Sequence, residues 1–271
     1  MPELPEVETI RRGIAPFIVG HRVRNVVLRT PMLRWPISPD LADELTGRTI
    51  EAVERRGKYL LLRTEAGTLL IHLGMSGFLR VLDSPLVPGK HDHVDIEFDG
   101  NLCLRLNDTR RFGALLWVED DPLGHPLLAE LGPEPLSGEF TGDYLHTHSR
   151  GRRIAVKSFL MDHRVVVGVG NIYASESLFR AGIDPRKPVG GISLARYQRL
   201  TEAVRQVLEE AIAAGGTTLR DFSDQNGRPG YFALQLQVYG REGEPCPKCG
   251  RTIQKITLGQ RSTYFCPKCQ R

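Results

Sequence analysis

Leu131-Gly132-Pro133-Glu134-Pro135 separates two kinds of sequence. Glycine and proline packed so closely break any regular element, and the hydrophobic period differs on either side. Before this run, short segments rich in β-branched and aromatic residues alternate with turn formers such as Glu65-Ala66-Gly67 and Phe98-Asp99-Gly100-Asn101. The segments are 23–29, 49–55, 59–64, 68–73, 78–82, 94–98, 102–106 and 114–118. Eight strands at that spacing predict a β-sandwich or barrel. After it, helical periodicity takes over at 153–162, 171–181 and 193–214. The last of these puts Leu194, Tyr197, Leu200, Val204, Val207, Leu208, Ala211 and Ile212 on one stripe and stops at Gly215-Gly216. The expected fold class is therefore α+β multidomain, divided at 1–133, 134–239 and 240–271.

The two ends of the chain are distinctive. At the start, Leu4, Val7, Ile10 and Ile14 follow three- and four-residue spacing, which predicts an amphipathic helix ending near 16–20. Ahead of it stand Pro2 and Glu3. Proline and acids suit the first turn of a helix. A Pro2 freed of Met1 would also be a secondary amine with a pKa of roughly 7.7–8, partly unprotonated at neutral pH and able to form a Schiff base. At the other end, Cys246-Pro-Lys-Cys249 and Cys266-Pro-Lys-Cys269 have the spacing of a closed tetrahedral site for one structural zinc ion. Segments 252–257 and 262–266 flank Leu258-Gly259-Gln260-Arg261, so this module reads as a hairpin with Arg261 near its tip. The fifth cysteine, Cys103, lies in an apolar segment and is expected in the core.

Charge placement points to a polyanion. The 271 residues carry a formal net charge of +4, but 240–271 alone carry +5, from seven Lys/Arg against Glu242 and Glu244. A basic module on a near-neutral body reads as an electrostatic footprint for a polyanion. No apolar run approaches the ~20 residues of a membrane span, and no signal-peptide pattern opens the chain. A cytosolic, cytoplasmic location is expected, and hydrophobic content of 41% suffices for real cores. Val169-Gly170-Asn171-Ile172-Tyr173 places backbone N–H groups at a helix start, with Arg150, Arg152, Arg153 and Lys157 just before it, a suitable phosphate site. Arg110-Arg111-Phe112 and the loop His72-Leu73-Gly74-Met75 offer an apolar wedge beside arginine.

Four stretches together carry a specific resemblance: Pro2 to Thr9, Arg55-Arg56-Gly57-Lys58-Tyr59-Leu60, the run from Val167 to Phe179, and Gly259 to Cys266. They resemble, in order and from end to end, the bacterial formamidopyrimidine-DNA glycosylase family. The resemblance implies an N-terminal helix on a two-sheet β-sandwich, a helix-two-turn-helix domain and a C-terminal four-cysteine zinc-finger hairpin. Damaged double-stranded DNA would bind in the cleft between them, with the protein a monomer. It implies a bifunctional glycosylase and abasic-site lyase for oxidised purines, with Pro2 as nucleophile and Glu3 as acid–base. Lys58 would act in β-elimination and Arg261 in δ-elimination. His72, His91, Arg110, Arg152 and Asn171 fall where the family contacts DNA. Met75, Arg110 and Phe112 match the triad that fills the gap left by an everted nucleotide. Glu6, Thr217 and Tyr231 match the region covering the lesion. One departure is Thr109, where many members have proline. The sibling type that prefers oxidised pyrimidines and a catalytically silent zinc-finger protein that binds bent or damaged DNA are the alternatives.

Overall fold

All eight strands expected before Leu131 form, and they pair as two antiparallel four-stranded sheets rather than one barrel. This is shown by the computed structural model, which describes residues 2–83, 86–215 and 236–271. The described residues form two compact units, the first running to Ala129 and the second beginning at Glu130 and including 236–271.

In the first unit, β1 (Val23–Leu28), β6 (Asp92–Phe98), β7 (Cys103–Asp108) and β5 (Gly77–Leu82) make one sheet in that order. The other holds β2 (Ala52–Arg56), β3 (Tyr59–Thr64), β4 (Gly67–His72) and β8 (Ala114–Val118). Cross-strand rows explain the sandwich. Leu60, Ile71 and Leu115 lie opposite one another in the second sheet, and Val26, Ile96 and Leu104 do so in the first. Both rows enter one hydrophobic cluster, as inward-facing alternate residues of two packed sheets must. Helix α1 (Leu4–Ile18) adds Val7, Ile10, Ile14 and Ile18 to that cluster, which fixes which way its N-terminus presents Pro2 and Glu3. Cys103 is fully buried, as expected. The polar face of the first sheet is also closed: buried Arg105 pairs with Asp95 at 2.7 Å and donates to the Leu86 carbonyl, while Asp92 accepts from Gly89 N. The segment leading to His91 is thereby held against the sheet. Two short helices, α2 (Leu41–Leu45) and α3 (Pro126–Ala129), complete the unit.

The second unit packs α4 (Gly142–Ser149), α5 (Val156–Leu160), α6 (Asn171–Ala181) and α7 (Leu194–Ala213) around a second cluster. Helix α6 has the expected bounds. The helix expected at 153–162 is shorter, because Val189 N donates to Ile154 O and Val156 N to Lys187 O, holding the backbone extended until Val156. Helix α4, too polar to show a stripe, was not anticipated. Beyond the undescribed stretch, Gln237, Val238 and Tyr239 donate their N–H groups to the buried Glu176 carboxylate at 2.8–2.9 Å. Burial pushes that carboxyl's pKa up against these three donors. The hairpin of β9 (Gln254–Leu258) and β10 (Arg261–Phe265) turns through Gly259 and Gln260 at φ 53° and 60°. That is the positive-φ pair of a type I′ turn, whose twist suits a two-residue hairpin. Among the described residues no helix is long and apolar enough to cross a membrane.

Candidate active site and nucleic-acid interface

The chemistry of the first unit gathers where α1 begins. Pro2 is buried, and Glu3, at the N-cap of α1, is 3% exposed. Glu6 Oε2 accepts from Glu3 N at 2.8 Å, so the carboxylate expected near a lesion caps the helix that carries the nucleophile candidate. One turn on, Glu8 receives Arg11 and Arg12 from its own helix, each at 2.8 Å, and Arg55 from β2 at 3.0 Å. Burial raises the Glu8 pKa, but the hydrogen bonds from Arg11, Arg12 and Arg55 prevail and hold it at about 2. Arg55 also donates to Gly57 O at 3.1 Å. The start of α1 is thus tied to the Gly57-Lys58 turn, where Gly57 takes φ 56° and Lys58 is half-buried.

His72 lies opposite Tyr59 at the end of β4, with ring centroids 4.7 Å apart. Burial, then the charges of Lys58 and Arg34, depress its pKa to about 4. Its Nδ1 accepts from Gly74 N at 3.1 Å, which leaves the proton of the neutral ring on Nε2. Arg34, anchored through its N–H to Gly113 O, is a member of this group that the sequence did not reveal, since it sits in a proline-rich loop. The wedge candidates come from two loops in contact: a Cβ on Gly74 would fall 2.3 Å from the Phe112 carbonyl carbon. Phe112 is 44% exposed, Met75 is half-buried, and the Arg110 guanidinium stands 4.8 Å over the Phe112 ring. Ser76, Phe78, Thr109 and Arg110 line a cavity of about 190 Å³ beside them. His91 is half-buried and accepts, at its carbonyl, from Asp108 N at 3.0 Å.

In the second unit, Arg150, Arg152 and Arg153 are exposed, with Arg152 over the Phe159 ring. Lys157 differs from the expectation of a fourth phosphate-facing cation. It is 1% exposed, and its ammonium donates to Asn171 Oδ1 at 2.6 Å, Thr263 Oγ1 at 2.8 Å and Ser262 O at 3.0 Å. Asn171 in turn donates to Ser262 O at 3.0 Å, so the start of α6 and the finger hairpin share one polar junction. Arg261, exposed, follows directly from the hairpin turn. Thr217 and Tyr231 lie outside the described residues.

The four cysteines fit a metal. Their sulfurs all lie within 4.8 Å of one another, with Cys246–Cys269 at 3.9 Å and Cys249–Cys266 at 3.5 Å. Tetrahedral bonds of ~2.3 Å to zinc require sulfurs about 3.8 Å apart. Cys246, Cys249, Cys266 and Cys269 are positioned to hold one zinc ion, closed to substrate.

The family model described as the formamidopyrimidine-DNA glycosylase N-terminal domain matches residues 1–115. The glycosylase H2TH domain matches 131–223, and a zinc finger found in FPG and IleRS matches 243–271. The formamidopyrimidine-DNA glycosylase of Syntrophotalea carbinolica is 62% identical over 271 residues, covering all of both chains. Among solved structures, the MutM (Fpg) protein of Thermus thermophilus is 41% identical, with a TM-score of 0.89 over 99% of this chain and 98% of that one. The Lactococcus lactis Fpg bound to abasic-site DNA is 36% identical, with a TM-score of 0.92 over 99% of each chain.

Proposed function

The chain belongs to the formamidopyrimidine-DNA glycosylase family, and on that premise we propose which of its residues do the work. It is a base-excision-repair DNA glycosylase with abasic-site lyase activity. Its substrates are oxidised purines such as 8-oxoguanine and formamidopyrimidines in duplex DNA, the lesion class carried in the DNA of similar solved complexes.

Pro2, once Met1 is removed, attacks C1′ of the damaged deoxynucleotide. The N–C1′ bond forms, the glycosidic bond breaks and the base departs with a proton. Glu3 then protonates O4′ as the sugar ring opens, leaving an iminium cation between Pro2 and C1′. A secondary amine yields this cation directly, without a separate protonation. The cation draws electrons from C2′, whose proton is lost as the C3′–O bond breaks; Lys58 supplies the proton for that β-elimination. Loss of the C4′ proton then breaks the C5′–O bond in δ-elimination, with Arg261 on the phosphate. His72, His91, Arg110, Arg152 and Asn171 engage the DNA. Met75, Arg110 and Phe112 occupy the space of the everted nucleotide, while Glu6, Thr217 and Tyr231 line the lesion. Zinc supplies folding energy to the finger and no chemistry. The protein acts as a monomer in the cytoplasm, where a chromosome would be its substrate.

The observation that carries this reading is the buried Pro2–Glu3 pair on a helix tied through Glu8 and Arg55 to the turn bearing Lys58. Borohydride trapping on an 8-oxoguanine duplex tests it. A covalent adduct mapped to Pro2 is expected, and no adduct from protein with a trimmed N-terminus overturns it. Faster turnover of thymine glycol than of 8-oxoguanine would move the chain to the pyrimidine-preferring sibling type.

A further inference from the structure

Asp108 closes β7 and is fully buried, yet its carboxylate faces two loops. Oδ1 accepts from Ser76 Oγ at 2.7 Å and from Arg110 N at 3.3 Å; Oδ2 accepts from Gly113 N at 2.8 Å. Ser76 Oγ also accepts from Arg110 N at 3.1 Å. The main chain of Asp108 is equally committed: its carbonyl accepts from His93 Nε2 at 2.9 Å and from Arg111 N at 3.3 Å, and its N–H goes to His91 O. Arg111 takes φ 56°, an uncommon conformation for a residue with a side chain. Space is as tight as the bonding. A Cβ on Gly113 would meet His72 O at 2.9 Å and Asp108 Oδ2 at 3.0 Å.

Each donor to this carboxylate belongs to, or adjoins, a wedge residue: Ser76 follows Met75, Arg110 is itself a member, and Gly113 follows Phe112. We propose that Asp108 is a positioning residue for base excision, holding the Met75 loop and the Arg110–Phe112 loop in one register so that all three side chains enter the DNA stack together. This rests on reading Met75, Arg110 and Phe112 as the wedge. A hydrophobic contact alone would let the loops slide, whereas a carboxylate fixed by donors from both sets their spacing to tenths of an ångström. Eversion of an intact damaged nucleotide needs that spacing more than cleavage of a site already lacking its base.

Asp108→Asn keeps the volume but turns one acceptor oxygen into a donor, which must face either Gly113 N–H or the Ser76 and Arg110 donors. Single-turnover excision of 8-oxoguanine opposite cytosine is expected to slow at least about tenfold more than cleavage of a preformed abasic site, since small misplacements cost that much. The 2-aminopurine fluorescence rise beside the lesion should slow in parallel. Phe112→Ala is the companion arm. If it too slows excision selectively, the wedge reading stands; an equal effect of Asp108→Asn on both reactions, or none, then overturns the role of Asp108. If Phe112→Ala is not selective, the wedge reading itself falls and the proposal with it. Should Asp108→Asn fail to fold, Ser76→Ala, which keeps the Gly113 bond, is read in its place. About threefold selective slowing supports the proposal, and a uniform or absent effect overturns it.

Discussion

Glu8, held as an anion, and His72, held neutral, both make the candidate-site end of the first unit acid-labile. The folded Glu8 pKa lies at about 2, below its ordinary 4.5, so its stabilisation is whole above 4.5 and is lost as pH falls towards 2. His72 is depressed to about 4 from 6.5, so the fold favours the neutral ring; that contribution is whole above 6.5 and is lost as pH falls towards 4. Glu8→Gln should cost about 2 kcal/mol at pH 7, measured by urea unfolding, because three arginines lose their shared anion. Its unfolding midpoint should also drop less than that of the unaltered protein between pH 4.5 and 2. An equal drop would remove Glu8 as the cause. For His72, nitrogen chemical shifts should report Nε2–H at pH 7 and no titration until near pH 4. Part of this was legible in the sequence. Glu8 stands three and four residues before Arg11 and Arg12, the spacing of helix neighbours, but Arg55 is 47 residues away and only the folded sheet brings it in. Pro2, Lys58 and Arg261 became candidates because each lies in a linear motif. Asp108 and Arg34 were not, since their partners come from separate loops.

At the scale of elements, the strands were legible because each is a short β-rich segment bounded by turn formers. Helices with little apolar stripe were harder: α4 was missed, and α5 began three residues later than its pattern because strand-like pairing with 187–189 outweighs helix propensity. The same short α5 carries Lys157, which the sequence groups with exposed arginines and the structure withdraws into the junction of α5, α6 and β10. Burying an ammonium is tolerable only with full hydrogen bonding, and here three oxygens provide it. Lys157→Met should therefore cost about 2–3 kcal/mol, leaving Asn171 and Thr263 without their donor. It should also loosen the finger from the helices, read as faster zinc transfer to a chromogenic chelator. Release at the unaltered rate would show that the junction does not hold the hairpin.

On the whole molecule, the two units have separate cores, and the metal belongs to only one of them. Cys246 and Cys266 pack with Phe179, Val238 and Ile253, and Lys248 lies 4.6 Å over the Phe179 ring. Gln270 donates to Ile183 O, and Arg271 N to Gly182 O, so the end of the chain is stitched to the end of α6. The finger also holds the excess positive charge of the chain, which makes it the natural source of salt-sensitive binding. Arg261→Ala should weaken duplex affinity, lower the slope of log affinity against log salt by about one, and slow the second strand cut, since one phosphate contact is lost. Metal removal should act more broadly, because a closed four-cysteine site supplies folding energy outright. With zinc stripped, or in Cys249→Ser, amide exchange should rise across β9, β10 and the C-terminal half of α6, while amides in β3, β4 and β7 keep their protection. Both tryptophans, Trp35 and Trp117, lie in the first unit, so their fluorescence should stay unchanged as DNA binding is lost. A tryptophan shift on chelation would mean that the metal also supports the sandwich, and retained DNA affinity would mean that binding does not require the folded finger.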